Sequence, residues 1–196
     1  MKLFYSPGAC SLASDIVLHE AKLDASFIKV DLKSKKTEHG EDYAAINPKG
    51  YVPALRLDDG DLLTENVAIL LYLASMKPGL FPQEGMAKWH AIETLAFVST
   101  ELHKAFKPLF DPSAPAALKQ TAKETLAQRF GLFAKQLGDR EFIVGDAFTV
   151  VDAYAFVMLR WAEKNEVAIP PKLTEYAARL KKRASVRAAL TNEGLT

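Results

Sequence analysis

The 196-residue chain has one cysteine, four histidines and no surplus of either charge, with 25 Lys and Arg against 24 Asp and Glu. A single cysteine cannot close an internal disulfide. With no second thiol three residues on, it cannot work as a C-x-x-C shuttle either, so the composition fits a reducing compartment. A net charge of +1 gives no reason to expect a nucleic-acid partner. No stretch reaches the roughly 18 uninterrupted apolar residues of a membrane span, and no basic start with a long apolar run marks a secretory signal. There is no Gly-rich phosphate loop, no Walker-type sequence and no Gly-x-Ser-x-Gly elbow. His19, His39, His90 and His103 share no metal-ligand spacing with each other or with Cys10, so no metal is expected. These absences predict a cytoplasmic protein without nucleic-acid, membrane or metal partners.

What is present is a chain 49% hydrophobic, enough for one substantial core or two small ones. The first part alternates elements. A strand at 2–5 leads to a helix at about 11–23 and a second strand at 26–31. A polar stretch at 33–42 follows, then a short helix ending at Ile46-Asn47-Pro48. Asp58-Asp59-Gly60 is a hairpin turn between strands at about 52–57 and 62–64, and 67–74 is an amphipathic helix. The order βαβ then ββα predicts a small α/β domain over residues 1–78, with a mixed four-stranded sheet. A linker with two prolines and two glycines separates it from an all-helical domain over 86–196. Trp89, Ile92, Leu95, Ala96, Ser99, Leu102, His103, Phe106 and Phe110 fall on one stripe of a long helix. Helices at about 116–137 and 150–164 follow. The last is apolar nearly all round and is expected at the centre of its domain. Thr149-Val150-Val151-Asp152 is its capping box.

Several residues admit both a chemical and a structural reading. Cys10 lies between a strand and a helix, just before Ser11, a candidate N-cap. Backbone N–H groups there favour a thiolate, although a lone cysteine is often just a small buried hydrophobe. Val52-Pro53 starts a strand after a turn. It either merely begins the strand or, if cis, leaves the Val52 backbone to a ligand. Thr64-Glu65-Asn66 opens a helix, either as an ordinary cap or as a carboxylate and ammonium site. His103 is a core histidine or a catalyst. Lys33, Lys35 and Lys36 are a solvated loop or an anion contact.

Taken together, the segments Met1 to Leu12, Ile46-Asn47-Pro48-Lys49-Gly50, Val52-Pro53-Ala54-Leu55, Leu63-Thr64-Glu65, Thr100-Glu101-Leu102-His103-Lys104, Phe148 to Tyr154 and Glu193-Gly194-Leu195 resemble the bacterial beta-class glutathione S-transferases. The resemblance covers essentially the whole chain. It implies a thioredoxin-like N-terminal domain, an all-α C-terminal domain, a homodimer and glutathione as cosubstrate, conjugated to small hydrophobic electrophiles. It places Cys10 at the glutathione sulfur, where mixed-disulfide chemistry is open to it. Val52 and Pro53 would meet the cysteinyl backbone, Glu65 and Asn66 the γ-glutamyl end, and Lys35 the glycyl carboxylate. Thr100, Glu101 and His103 would approach from the long helix, His103 nearest the sulfur. Tyr5, Phe106, Phe110, Tyr154 and Trp161 are candidates for lining the second-substrate pocket. The pattern departs from the family's at Ala96, where an asparagine is usual, and at Asn66, where a small residue is.

Overall fold

A computed structural model describes all residues, Met1–Thr196. The chain divides into an α/β unit, Met1–Leu80 with Lys182–Thr196, and a helical unit, Phe81–Lys181. Although Lys182–Thr196 follow the helical stretch in sequence, they pack within the α/β unit.

In the α/β unit, β1 (Lys2–Tyr5) is the middle of a sheet ordered β3-β2-β1-β4-β5. It runs parallel to β2 (Ser26–Asp31), with Leu3 opposite Phe27, and antiparallel to β4 (Ala54–Arg56), with Leu3 opposite Leu55. The hairpin to β5 (Leu62–Thr64) closes as its sequence predicts, with Gly60 at φ 98°, a conformation that glycine adopts without cost.

The sheet has five strands rather than four. The added strand is β3 (Lys36–Thr37), antiparallel to Val30 and Asp31. It lies in the polar stretch read as a loop. Two polar residues carry no alternation signal, and the strand is placed by a local turn in which Asp31 Oδ1 accepts from the Lys33 N–H at 2.8 Å. The short helix α2 (Tyr43–Ile46) is capped by Asp42, which accepts from the Ala44 N–H. Helix α1 (Leu12–Ala21) packs against α3 (Asn66–Ser75) and against a C-terminal helix, Ala184–Asn192. Leu3, Ile16, Val17, Leu55, Ile69 and Leu73 are fully buried between the layers.

The helical unit begins with α4 (Gly85–Phe97), which passes without a break into one π-helical turn, Val98–His103, and a 3-10 turn, Lys104–Phe106. Two helices follow, α5 (Lys107–Phe110) and α6 (Ala116–Leu137). Pro108, in the first turn of α5, has no N–H, and its ring displaces the carbonyl four residues back, so an ideal α-helix cannot continue through this stretch. The single stripe already fails within α4, because it spans too broad an arc of the helix: Leu95 and Ala96 point about 100° apart. Leu95, Leu102 and Phe106 are buried, while Trp89 and Ala96 are exposed. Helix α7 (Val150–Lys164) is buried from Val150 to Leu159 and is the core of its unit, as its composition predicts.

The capping box forms as expected, and the structure adds to it. Asp152 accepts from the Thr149 N–H, the Thr149 hydroxyl and the Ile143 N–H, and also from the Tyr176 hydroxyl at 2.5 Å. Tyr176 belongs to α8 (Pro171–Lys181). The C-terminal helix Ala184–Asn192 is α9. Neither of these helices is expected from the pattern.

Candidate active site

At the start of β4, the α/β unit gathers two helix N-termini and one turn. The turn is built from the inside. The carbonyl of Tyr51 accepts from the Tyr43 hydroxyl at 2.7 Å and from Asn47 Nδ2 at 2.8 Å. Lys35, itself at φ 56°, lays its ammonium on the Gly50 carbonyl at 2.9 Å. Gly50 sits at φ 66°, a left-handed conformation that glycine adopts without strain. The Val52-Pro53 bond is cis. The Val52 carbonyl is not open to solvent: it accepts from the Cys10 thiol at 3.2 Å.

That contact and the burial of the sulfur favour the protonated thiol, the second of the two readings that the sequence left open. The backbone N–H groups of Cys10 and Ser11 do favour the thiolate. Burial outweighs them, with the Glu193 and Glu65 carboxylates acting in the same direction, and the thiol is pushed up to about 12. Cys10 is a protonated hydrogen-bond donor. Ser11 does not cap α1 either, because its backbone is already helical and its hydroxyl is turned onto Ser6.

The second helix N-terminus is that of α3. Glu65 stands at φ 71° and ψ 119°, a conformation that costs a non-glycine residue about 1–3 kcal/mol and gathers at functional sites. Its carboxylate meets Lys49 Nζ at 2.6 Å, and the same ammonium donates to the Thr64 hydroxyl at 3.0 Å. Asn66 is buried, and its Oδ1 accepts from the Ser14 hydroxyl of α1 at 3.0 Å, which ties the two helices together. Its Nδ2 has no protein partner. Lys49 and Ser14 were missed by sequence reasoning. Lys49 lies inside a motif quoted for the family, but only the tertiary pairing shows where its charge goes. The C-terminal segment also reaches this region: Glu193 accepts from the Gly8 N–H at 2.7 Å, in the turn that carries Cys10.

In the helical unit His103, Tyr154, Phe106, Phe110 and Trp161 form one ring cluster. Trp161 makes T-shaped contacts with His103, Phe106 and Phe110, with ring centroids 5.0, 5.4 and 4.8 Å apart. His103 Nδ1 lies 2.5 Å from the Tyr154 hydroxyl. Burial, with the Lys104 charge assisting, lowers the imidazole to about 4, so the ring is neutral near pH 7. Phe106 is fully buried and Phe110 is 48% exposed, so Phe110 is the ring that presents open apolar surface. Tyr5, on β1, is buried edge-on against Phe27. Thr100 and Glu101 do not join the ring cluster. The Thr100 hydroxyl donates to the Ala96 carbonyl, and Glu101 pairs with Arg129 at 3.0 Å. A groove of about 620 Å³ lined by His90, Glu93, Phe97, Gln136 and Arg140 holds none of the predicted site residues. No cluster of His, Cys, Asp or Glu is arranged to hold a metal ion, and no helix is long and apolar enough to cross a membrane.

Residues 8–76 match the glutathione S-transferase N-terminal domain and residues 97–184 the C-terminal domain. The chain is 45% identical to glutathione S-transferase GstA of Escherichia coli, over the full length of both. It superposes on the bacterial beta-class glutathione S-transferase of Sphingomonas chungbukensis with a TM-score of 0.94 at 45% identity, each chain covered in full. A sphingomonad glutathione S-transferase solved in complex with glutathione gives a TM-score of 0.93 at 46% identity, again with full coverage of both chains. The α/β unit with its cis proline, the helical unit and these full-length likenesses together decide the matter: the chain belongs to the glutathione S-transferase family, in its bacterial beta class.

Proposed function

We propose that the protein is a glutathione transferase, binding reduced glutathione and joining its sulfur to a small hydrophobic electrophile. The observation that carries this reading is the convergence of Cys10, the cis Val52-Pro53 turn and the α3 N-terminus on one spot of the α/β unit. Glutathione ends in two carboxylates and one ammonium, so its site needs donors and acceptors of both charges. Lys35 takes the glycyl carboxylate. The Val52 backbone, held at the turn by Pro53, takes the cysteinyl segment. Glu65 takes the ammonium, while the free Nδ2 of Asn66 and the helix N-terminus take the γ-glutamyl carboxylate. From the helical unit, His103 is assigned to the sulfur, with Thr100 and Glu101 as further polar contacts.

In the reaction, the glutathione thiol gives its proton to solvent. The thiolate attacks an electrophilic carbon, and the C–S bond forms as the leaving group departs with the bonding electron pair. Cys10 is not the nucleophile, because its thiol stays protonated with its one proton on the Val52 carbonyl. Mixed-disulfide exchange would first require Cys10 to ionise, against its burial. The ring surface of Phe110, backed by Trp161 and Phe106, suits an apolar electrophile. Exposed Met86 and Trp89 on α4 and Tyr51 before β4 are apolar surface that a second copy of the chain would cover, giving a homodimer. A cytoplasmic setting supplies reduced glutathione and keeps the lone thiol reduced.

The test is retention on glutathione-agarose followed by conjugation to a chlorinated nitroaromatic. Retention with turnover is the expected result. Retention without turnover would point to a thiol transferase, a peroxidase or a binding module. Failure of both would overturn the reading.

A further inference from the structure

The π-helical turn Val98–His103 ends on the one histidine assigned to the site, and it aims that ring at α7. His103 is held from two sides. Trp161 packs against its ring in a T-shaped contact with centroids 5.0 Å apart, and the Tyr154 hydroxyl lies 2.5 Å from Nδ1. Tyr154 is 1% exposed, and the start of its helix is pinned by the capping box, so the hydroxyl is a fixed point. A neutral imidazole has one N–H and one lone pair, and the partner of one nitrogen decides what the other presents.

We propose that Tyr154 is a positioning residue: its hydroxyl donates to His103 Nδ1, which places the ring proton on Nε2 and leaves an N–H donor for the substrate sulfur. A phenol is a stronger acid than a neutral imidazole N–H, and an imidazole nitrogen is a better acceptor than a phenol oxygen. The O–H···N direction is therefore the favoured one. The opposite tautomer would turn an Nε2 lone pair toward a thiolate, which repels it. Lowering of the imidazole to about 4 fits the same picture, because an imidazolium would carry protons on both nitrogens and need no Tyr154 to choose between them. The inference deepens the functional reading above and rests on the assignment of His103 to the sulfur.

The experiment reads the tautomer directly, by nitrogen NMR of the full-length protein labelled at histidine, near pH 7. The proton of His103 is expected on Nε2 in the unaltered protein, a result that does not depend on any variant folding. In Tyr154→Phe, which keeps the ring and loses only the hydroxyl, that preference should disappear. Turnover should fall about tenfold, part of the 10²–10³ that direct loss of an oxyanion donor costs. KM for glutathione should stay within about twofold, since the tautomer acts on the reacting sulfur and not on the peptide ends. A proton on Nδ1 in the unaltered protein overturns the proposal. So does unchanged turnover in Tyr154→Phe when His103→Ala has lost it. Unchanged turnover in His103→Ala, with the Nε2–H tautomer intact, instead overturns the assignment of His103 and the catalytic meaning of the contact.

Discussion

The Cys10 thiol donates to the carbonyl of Val52 across 3.2 Å, and this bond joins the turn before α1 to the cis-proline turn before β4. A thiolate at Cys10 would face a carbonyl oxygen, lone pair against lone pair. Both the geometry and the burial of the side chain therefore hold the proton on sulfur.

Cys10 should be slow to alkylate. A thiol at about 12 rather than the ordinary value of about 8.5 has roughly three thousandfold less thiolate at neutral pH. Iodoacetamide at pH 7.5 should modify the native protein at least roughly a hundredfold more slowly than the same protein unfolded in denaturant, allowing for the lower intrinsic nucleophilicity of low-pKa thiolates. With one cysteine in the chain, intact mass gives the rate directly. Alkylation at comparable rates in the two states would sink the claim that the fold keeps this thiol protonated.

The pH dependence of turnover should lack a histidine limb near 6.5. His103 is lowered to about 4, so it stays neutral across the usual assay range. Its effect on stability has a definite sign. Between about 4 and 6.5 the unfolded chain binds the proton and the fold does not, so stability falls as pH drops through that window. The effect is on the order of 3 kcal/mol. Thermal melts of His103→Asn and the unaltered protein between pH 4 and 7 measure it, and the variant should show the shallower slope.

Asp15 should act in the opposite sense. It is fully buried on α1, accepts from Asn192 Nδ2 of α9 at 2.8 Å and lies 3.1 Å from His19, and burial raises its carboxyl to about 7. Burial also lowers His19, so no imidazolium offsets the carboxylate near neutrality. The protonated form stabilises the fold fully below about 4, and that contribution is lost as pH rises through about 7. Asp15→Asn keeps an acceptor for Asn192 and removes the titration. Relative to the unaltered protein, the variant should gain on the order of 3 kcal/mol between pH 4 and 8. A constant difference across that range in urea titrations would refute the assignment.

Removing Asp152 should be far more damaging than removing the cap hydroxyl. Thr149→Ala is expected to cost about 1 kcal/mol, the usual loss for an N-cap. Asp152→Ala strands the Thr149 and Ile143 N–H groups and the Tyr176 hydroxyl inside the unit, at about 3–5 kcal/mol. The separation between their urea midpoints tests the network. Equal losses would mean that the carboxylate contributes only as a cap.

The elements held by local interactions were determined by the sequence. Asp58-Asp59-Gly60 closes a hairpin because the needed backbone conformation belongs to its own residues. Thr149 and Asp152 cap α7 because a cap spans only three positions, and the apolar run from Val150 places that helix inside. The motifs around Cys10, Val52-Pro53, Glu65 and His103 were enough to reach the family. What only the tertiary structure decided rests on partners distant in sequence. Lys182–Thr196 fold into the α/β unit because Arg183 pairs with Glu20 and Asn192 with Asp15. The stripe drawn through Trp89 and His103 is broader than one packed face, and which part of it is covered depends on what packs against it, so their facing could not follow from spacing alone. The charge of Cys10 is the clearest case. Its helix terminus argues for a thiolate and is written in the local sequence, but desolvation depends on everything packed around the sulfur, and desolvation is the larger effect.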